Sequence, residues 1–171
     1  DVFSYVGGWG VQAAVAGARA VPCIDSSQPA LALAAENAAL NGVAGQMDFR
    51  CGNAVDELQA LARAGERYEL VVLDPPAFIK RRRDQKSGES AYHRLNRAAM
   101  ELLADDAILV SASCSMHLEE AALIEVVRNA AHHAGRRIQL LELAGQGPDH
   151  PIHPAIAETR YLKTVFARIY R

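Results

Sequence analysis

Aromatic residues make up 6% of this 171-residue chain, with one tryptophan, Trp9. Cysteine is scarce as well: Cys23, Cys51 and Cys114 are odd in number and form no C-x-x-C pair. That speaks against a disulfide framework and a thiolate zinc site, and fits reduced thiols in a cytoplasmic protein. No apolar run approaches the length of a membrane span, and no signal peptide is visible. Excess charge of one sign is missing too, since 18 basic and 20 acidic residues leave a net charge of −2. Such a chain is not a basic nucleic-acid binder as a whole, so any hold on a polyanion must come from a local patch. There is no initiator methionine: Asp1 opens directly on a motif, as expected of a piece excised from a longer protein. Repeats, low-complexity tracts and interdomain linkers are absent. Apolar residues are plentiful, at 50%, enough for one compact domain spanning 1–171.

The apolar pattern alternates between strand and helix. Residues 1–4 read as the tail of a strand, and Gly7, Gly8 and Gly10 as a loop. A helix follows over 11–18, turned at Gly17. "AVPCID" is a buried strand ending in Asp25. Pro29 suits the first turn of a helix that runs to Asn41 and stops at Gly42. "MDFRC" is a short strand, residues 55–64 a helix, and "YELVVLD" a strand apolar enough to have helices on both faces. A helix is expected over about 92–103, a strand in "AILVSAS" and a long helix over 117–134. "RIQLLELA" and "YLKTVFARIY" have no helix between them and should pair antiparallel. The whole predicts an α/β doubly wound, mostly parallel sheet.

Ligands in such sheets bind outside the carboxyl ends of the strands. Those ends here read "DVFSYVGG", "CIDSS", "RCGNA", "LDPPAF" and "SASCS". Glycines between a strand and a helix let a ligand lie on bare backbone. Asp25, ending the next strand, can accept hydrogen bonds from both hydroxyls of a ribose. Asn53 can bond an adenine edge. Together they point to a nucleoside-containing cofactor without separating a dinucleotide from S-adenosylmethionine. A G-x-G-x-x-G run is absent and no phosphate-binding lysine follows, so a Walker loop is excluded.

"DVFSYVGGWG", "CIDSSQPALALAAENAALNG", "YELVVLDPPAF", "SASCS" and "GQGPDHP…RYLK" together resemble the class I S-adenosylmethionine-dependent RNA methyltransferases. The nearest likeness is to the type that methylates carbon 5 of a cytosine in large-subunit ribosomal RNA. The resemblance covers nearly the whole chain. It implies a Rossmann-like, seven-stranded, mostly parallel sheet with a final antiparallel strand, here with its first strand truncated. It also implies S-adenosylmethionine as cofactor, ribosomal RNA as partner, and an upstream PUA-type RNA-binding domain that this chain lacks. Asp1, Phe3, Ser4, Gly7, Gly8, Asp25, Ser26, Asn53, Ala54 and Asp74 are the candidate cofactor residues. Asn53 stands where the family usually has Asp, which removes a charge from the adenine side.

The chemistry suits the residues. Carbon 5 of cytosine is a poor nucleophile until a thiolate adds at carbon 6, and a base must then remove the carbon 5 proton. Cys114, just past a strand end, is the candidate nucleophile, with a buried packing thiol as its bland alternative. Cys23 and Cys51 are read as packing residues. Asp74 is a catalytic candidate, placed to hydrogen-bond the exocyclic amine or N3 of the base. Pro75 and Pro76 stiffen the loop after it. Phe78 either stacks on an extruded base or packs within the loop. Lys80, Arg81, Arg82 and Arg83 repel one another, so phosphate contact gives them a use that folding does not; the alternative is a solvated loop. Asp149, His150 and His153 lie in a proline-rich loop that is not read as a metal site, and Asp149 or His150 is a candidate base. His132 and His133 suit a helix C-terminus. Three rivals stay open. One is an RNA methyltransferase acting on a base nitrogen, in which Cys114 is dispensable. The others are a nicotinamide-dependent oxidoreductase and a non-catalytic RNA-binding relative.

Overall fold

Residues 1–171 are all described by the structure, a computed structural model. They divide into two units, Asp1–Ala64 and Gly65–Arg171. In the first unit, strands β1 (Val21–Asp25) and β2 (Met47–Cys51) pair in parallel, from Val21 opposite Met47 to Asp25 opposite Cys51. The strand expected at the very start is reduced to one parallel bridge between Val2 and Ile24. Helix α1 runs Gly8–Val15, starting three residues earlier than its apolar pattern suggests, so Gly8 and Gly10 lie inside it. Gly17, at φ +102°, closes it, and the Ala18 N–H reaches back to Ala13 O at 3.0 Å.

Helix α2 (Gln28–Leu40) is built from alanine and leucine, with Ala30, Leu31, Ala34 and Ala38 buried at spacings of one helical face. The Ser27 hydroxyl accepts from Ala30 N at 3.3 Å, and Pro29 occupies the first turn, where its missing N–H has no partner to lose. Gly42, at φ +72°, ends it. Helix α3 (Ala54–Arg63) completes the unit and buries Leu58 and Leu61. Ala14, Val21, Cys23, Leu31, Ala38 and Val43 form the core between α1, β1 and α2.

The second unit holds β3 (Tyr68–Leu73), α4 (Gln85–Leu102), β4 (Leu103–Ser113), α5 (Glu120–His133), β5 (Arg137–Ala144) and β6 (Lys163–Tyr170). The sheet order is β3-β4-β6-β5. β3 and β4 are parallel; β6 is antiparallel to both β4 and β5, as the helix-free link between the last two strands requires. α4 packs on α5, which buries Leu123, Val126, Val127, Ala130 and Ala131 at helical spacing. Burying a leucine such as Leu95 or Leu109 stabilises the unit by about 1.5–3 kcal/mol each.

Two expectations are corrected here. The seven-stranded sheet is not observed: six strands form groups of two and four. α4 begins at Gln85, not near Tyr92. Gly88, inside this helix, is buried where Ile79 packs: a Cβ at Gly88 would stand 2.2 Å from Ile79 Cγ1. No helix is long and apolar enough to cross a membrane.

Candidate active site

The first unit builds a glycine loop on the edge of β1. The backbone from Asp1 to Ser4 is laced to Ile24: Ile24 N donates to Asp1 O at 2.9 Å, and Phe3 N and Ser4 N donate to Ile24 O at 2.9 and 3.1 Å. The chain then turns sharply. Phe3 and Tyr5, neither a glycine, hold φ of 63° and 49°, and Gly7 holds 82°. Left-handed backbone at non-glycine residues costs free energy and collects at functional loops. Asn37 of α2 steadies the turn by donating to Val6 O at 2.9 Å. A side chain at Gly8 would meet nothing within 4 Å, whereas one at Gly10 would meet Cys23 Sγ at 2.5 Å. Gly8 is therefore the open face a ligand can approach, and Gly10 is a packing glycine.

Asp25 ties this loop to α2. Its Oδ2 accepts from Tyr5 N at 2.8 Å and its Oδ1 from Ser27 N at 2.9 Å. A carboxylate has about four acceptor positions, so two remain for hydroxyl groups. Ser26 is exposed beside it. Asp1 does something the sequence did not suggest: its Oδ2 accepts from Gly10 N at 2.9 Å, anchoring α1, while Oδ1 is buried without a partner. Ser4 is buried too. Asn53 caps α3, its Oδ1 accepting from Val55 N at 3.0 Å and Asp56 N at 3.4 Å. Both lone pairs of that oxygen are thus engaged, leaving the Nδ2 donor for an adenine edge, with the first residue of α3, Ala54, next to it. Cys23 is fully buried, and burial pushes its thiol pKa up, as suits a packing residue.

The second unit brings Cys114 to the segment that follows β3. Leu73 pairs with Ser111, so Asp74 and Pro75 leave the sheet beside Cys114. The half-buried Cys114 thiol faces Pro75 O at 3.8 Å. Behind it lies a fixed network. Ser113 Oγ donates to Tyr92 Oη at 2.8 Å, Tyr92 Oη and Ser115 Oγ are 2.9 Å apart, and Ile79 N donates to Ser115 Oγ at 3.1 Å. Phe78 packs on Tyr92, ring centroids 4.8 Å apart, which favours the loop-packing reading of this aromatic. Lys80, Arg81, Arg82 and Arg83 are exposed, and residues 82–84 make one tight turn leading into α4. His150 contacts Asp149 at 3.0 Å in an exposed loop. No group of three or more His, Cys, Asp or Glu side chains is placed to hold a metal ion. His132 and His133 do end α5, and His133 also meets His93 of α4 at 2.9 Å.

Two residues of this cluster escaped the sequence reading. Tyr92 is fully buried and, through one hydroxyl, joins α4 to the end of β4 and the loop that follows it. Lys163 is 9% exposed, and its Nζ donates to Ser115 O at 2.6 Å. A signal for Lys163 exists: it alternates with Val165, Ala167 and Ile169, all buried, along β6. An ionisable residue on the apolar phase of a strand has to be paired or functional.

Comparison with known proteins follows the same lines. A family model described as RNA cap guanine-N2 methyltransferase matches residues 1–150. The Ribosomal RNA large subunit methyltransferase I of Aeromonas salmonicida is 38% identical over 169 residues, 98% of this chain and 43% of its own length. The protein of the same name in Klebsiella pneumoniae is 32% identical over 170 residues, 99% of this chain and 42% of its own. The chain thus spans less than half the length of these curated relatives. A solved structure proposed to be a SAM-dependent methyltransferase of Streptococcus mutans superposes with TM-score 0.84 at 19% identity, covering 98% of this chain and 43% of that one. TrmN from Thermus thermophilus gives TM-score 0.68 at 17% identity, covering 100% and 43%. Structural likeness at such identities establishes the class I methyltransferase fold. With the family model spanning most of its residues, this chain belongs to the RNA cap guanine-N2 methyltransferase family and is an S-adenosylmethionine-dependent methyltransferase domain.

Proposed function

We propose that residues 1–171 are the catalytic domain of a cytoplasmic enzyme that methylates large-subunit ribosomal RNA, and that its target is carbon 5 of a cytosine. One observation carries the target: Cys114 stands just past β4 with its thiol turned to the Asp74–Pro75 segment. Methylation of a nitrogen needs no such thiol, because the nitrogen brings its own lone pair.

The residues of the first unit suit the cofactor. Gly8 offers bare backbone, Asp25 has acceptor positions for ribose hydroxyls, Ser26 flanks it, and Asn53 with Ala54 offers donors to adenine. Phe3 and Gly7 turn the loop, and Asp1 anchors α1 beside it. When bound, S-adenosylmethionine supplies an electrophilic methyl group. Cys114, as thiolate, forms a bond to carbon 6. The electrons of the carbon 5–carbon 6 double bond shift toward carbon 4 and N3, and the Asp74 carboxyl holds the base in place by accepting from its exocyclic amine. Once carbon 5 carries the methyl group, a base takes its proton, the double bond re-forms and the thiolate leaves. Lys80, Arg81, Arg82 and Arg83 hold the RNA backbone.

A second reading rests on the family model, whose description names guanine N2. The two readings part in one experiment. Full-length protein is given labelled cofactor and unmodified ribosomal RNA, and the product nucleosides are separated. The proposal expects 5-methylcytosine, with all transfer lost in Cys114→Ser, because a serine hydroxyl supplies almost no anion at neutral pH. RNA carrying 5-fluorocytosine should leave a protein–RNA band on denaturing gels, since fluorine cannot depart as a proton does, and Cys114→Ser should not show it. Methylguanosine made undiminished by Cys114→Ser establishes the second reading instead.

A further inference from the structure

The chain has three lysines: Lys80 and Lys86 at the basic tract, and Lys163 inside a strand. Lys163 begins β6 directly opposite Ser113, and its Nζ donates to Ser115 O, the carbonyl one residue past Cys114, at 2.6 Å. The two ends of this span bracket Cys114. An ammonium has three N–H donors, and Lys163 spends one of them on this carbonyl, which also accepts from Leu118 N at 3.1 Å. At 9% exposure there is little water for the other two. A buried cation needs an anion near it. The titratable groups that face Lys163 are Cys114 after β4 and Glu120 in the first turn of α5, with Tyr92 of α4 reaching the same cluster through Ser115. On the β5 side its neighbouring pair is Ala144 with Thr164.

We propose that Lys163 is a positioning residue that holds Cys114 as its thiolate, the buried ammonium serving as the standing counter-ion of the nucleophile. The proposal rests on the reading of Cys114 as the attacking group and names what sustains it. The step is a simple ionisation: the S–H bond breaks, the proton goes to solvent, and the electron pair stays on Sγ beside the ammonium. Burial pushes the Lys163 ammonium pKa down, while Cys114 and Glu120 act in the opposite direction. The network behind Cys114 supports the geometry. Ser113, Ser115 and Tyr92 bond one another, so the backbone carrying the thiol and the carbonyl gripping Lys163 are fixed together.

The test reads the thiol directly. Iodoacetamide alkylation of Cys114 in the full chain is followed by peptide mass spectrometry across pH, with exposed Cys51 as internal reference. At neutral pH, Lys163→Met should alkylate about tenfold more slowly at Cys114, because less of the thiol is present as its reactive anion. Cys51 should not change, and Lys163→Arg should recover most of the rate. Superimposable Cys114 profiles in wild type and Lys163→Met overturn the proposal. A second measurement needs no variant at Lys163. NMR titration of the three lysines is made before and after the thiols are capped. The Lys163 midpoint should fall once its anion is gone, and those of Lys80 and Lys86 should stay; an unmoved Lys163 midpoint also overturns it. Neither readout uses RNA or cofactor. A Cys114→Ser enzyme that still makes 5-methylcytosine would sink the nucleophile reading and leave the pair standing.

Discussion

Gly10 shows how little space the cofactor-side loop leaves. A methyl group there would press on Cys23 Sγ at 2.5 Å, Met47 Cε at 3.2 Å and Asp1 Oδ2 at 3.3 Å. Gly10→Ala should therefore destabilise the domain by about 1–3 kcal/mol in urea unfolding, despite alanine's better helix propensity. Cys23→Ala in the same chain should return part of that loss, because removing the sulfur clears the nearest obstruction; full additivity would mean the clash lies elsewhere. Asp25 makes a different kind of prediction. Asp25→Ala should weaken binding of S-adenosylhomocysteine by about 1–3 kcal/mol in calorimetry, through loss of charged hydrogen bonds. Unchanged affinity would remove Asp25 from the ribose. These positions were legible because a glycine run and a strand-end acid leave a local pattern. Tyr92 and Lys163 were not, because their role comes from pairing β4 with β6 and laying α4 over them. A tyrosine inside a helix and a lysine at the head of an apolar strand carry no mark of what lies opposite.

Element boundaries were set as much by tertiary contacts as by pattern. α3 behaves as its sequence reads: Asn53 caps it, Asp56 and Glu57 fill its first turn, and Arg63 its last, all matching the helix dipole. Asn53→Ala should cost about 0.5–2 kcal/mol in thermal or chemical unfolding. Asn53→Asp should keep the cap and add a charge suited to the helix N-terminus; a loss as large as that of the alanine variant would mean Asn53 acts through its Nδ2 instead. β4 departs from its sequence, since Asp105 and Asp106 look like a turn and yet lie within the strand. Asp106 sits at φ +60° and binds Arg168 of β6, while Asp105 lies near Arg136 and accepts from Arg171 N at 3.0 Å. The ladders skip residues 104–106, so contacts with arginines far along the chain hold an irregular turn inside the strand, which no local pattern encodes. The Arg168 guanidinium holds the Asp106 carboxyl below its ordinary pKa. Its contribution is therefore complete above the usual carboxylate range and is lost as pH falls through the depressed folded value. Asp106→Asn should lie below wild type in stability near neutrality, and the gap should close in acid. A gap independent of pH would mean the pair acts by shape alone.

The molecule as a whole is nearly neutral, at −2, so its proposed grip on RNA has to be local. Lys80, Arg81, Arg82 and Arg83 stand exposed in one run, and Arg83 faces Asp84 at 3.7 Å. An exposed pair at that distance contributes little, so most of the tract's charge remains to attract phosphate. The N-terminus of α4 follows at once, and its dipole adds to the same positive potential. Binding by this route releases counter-ions, and each phosphate contact on a single strand contributes about 0.7 to the slope of log affinity against log salt. Replacing Arg81, Arg82 and Arg83 with alanine should then reduce that slope by up to about 2 and weaken binding most at low salt. Affinity for S-adenosylhomocysteine should stay constant, because these residues lie outside the glycine loop and the α3 cap. Fluorescence anisotropy on a ribosomal RNA fragment, repeated over a salt series with the full chain, supplies both quantities. A triple variant with weaker binding and an unchanged slope would locate the loss in shape or folding. One with neither effect would make the tract a solvated turn and move the RNA surface elsewhere.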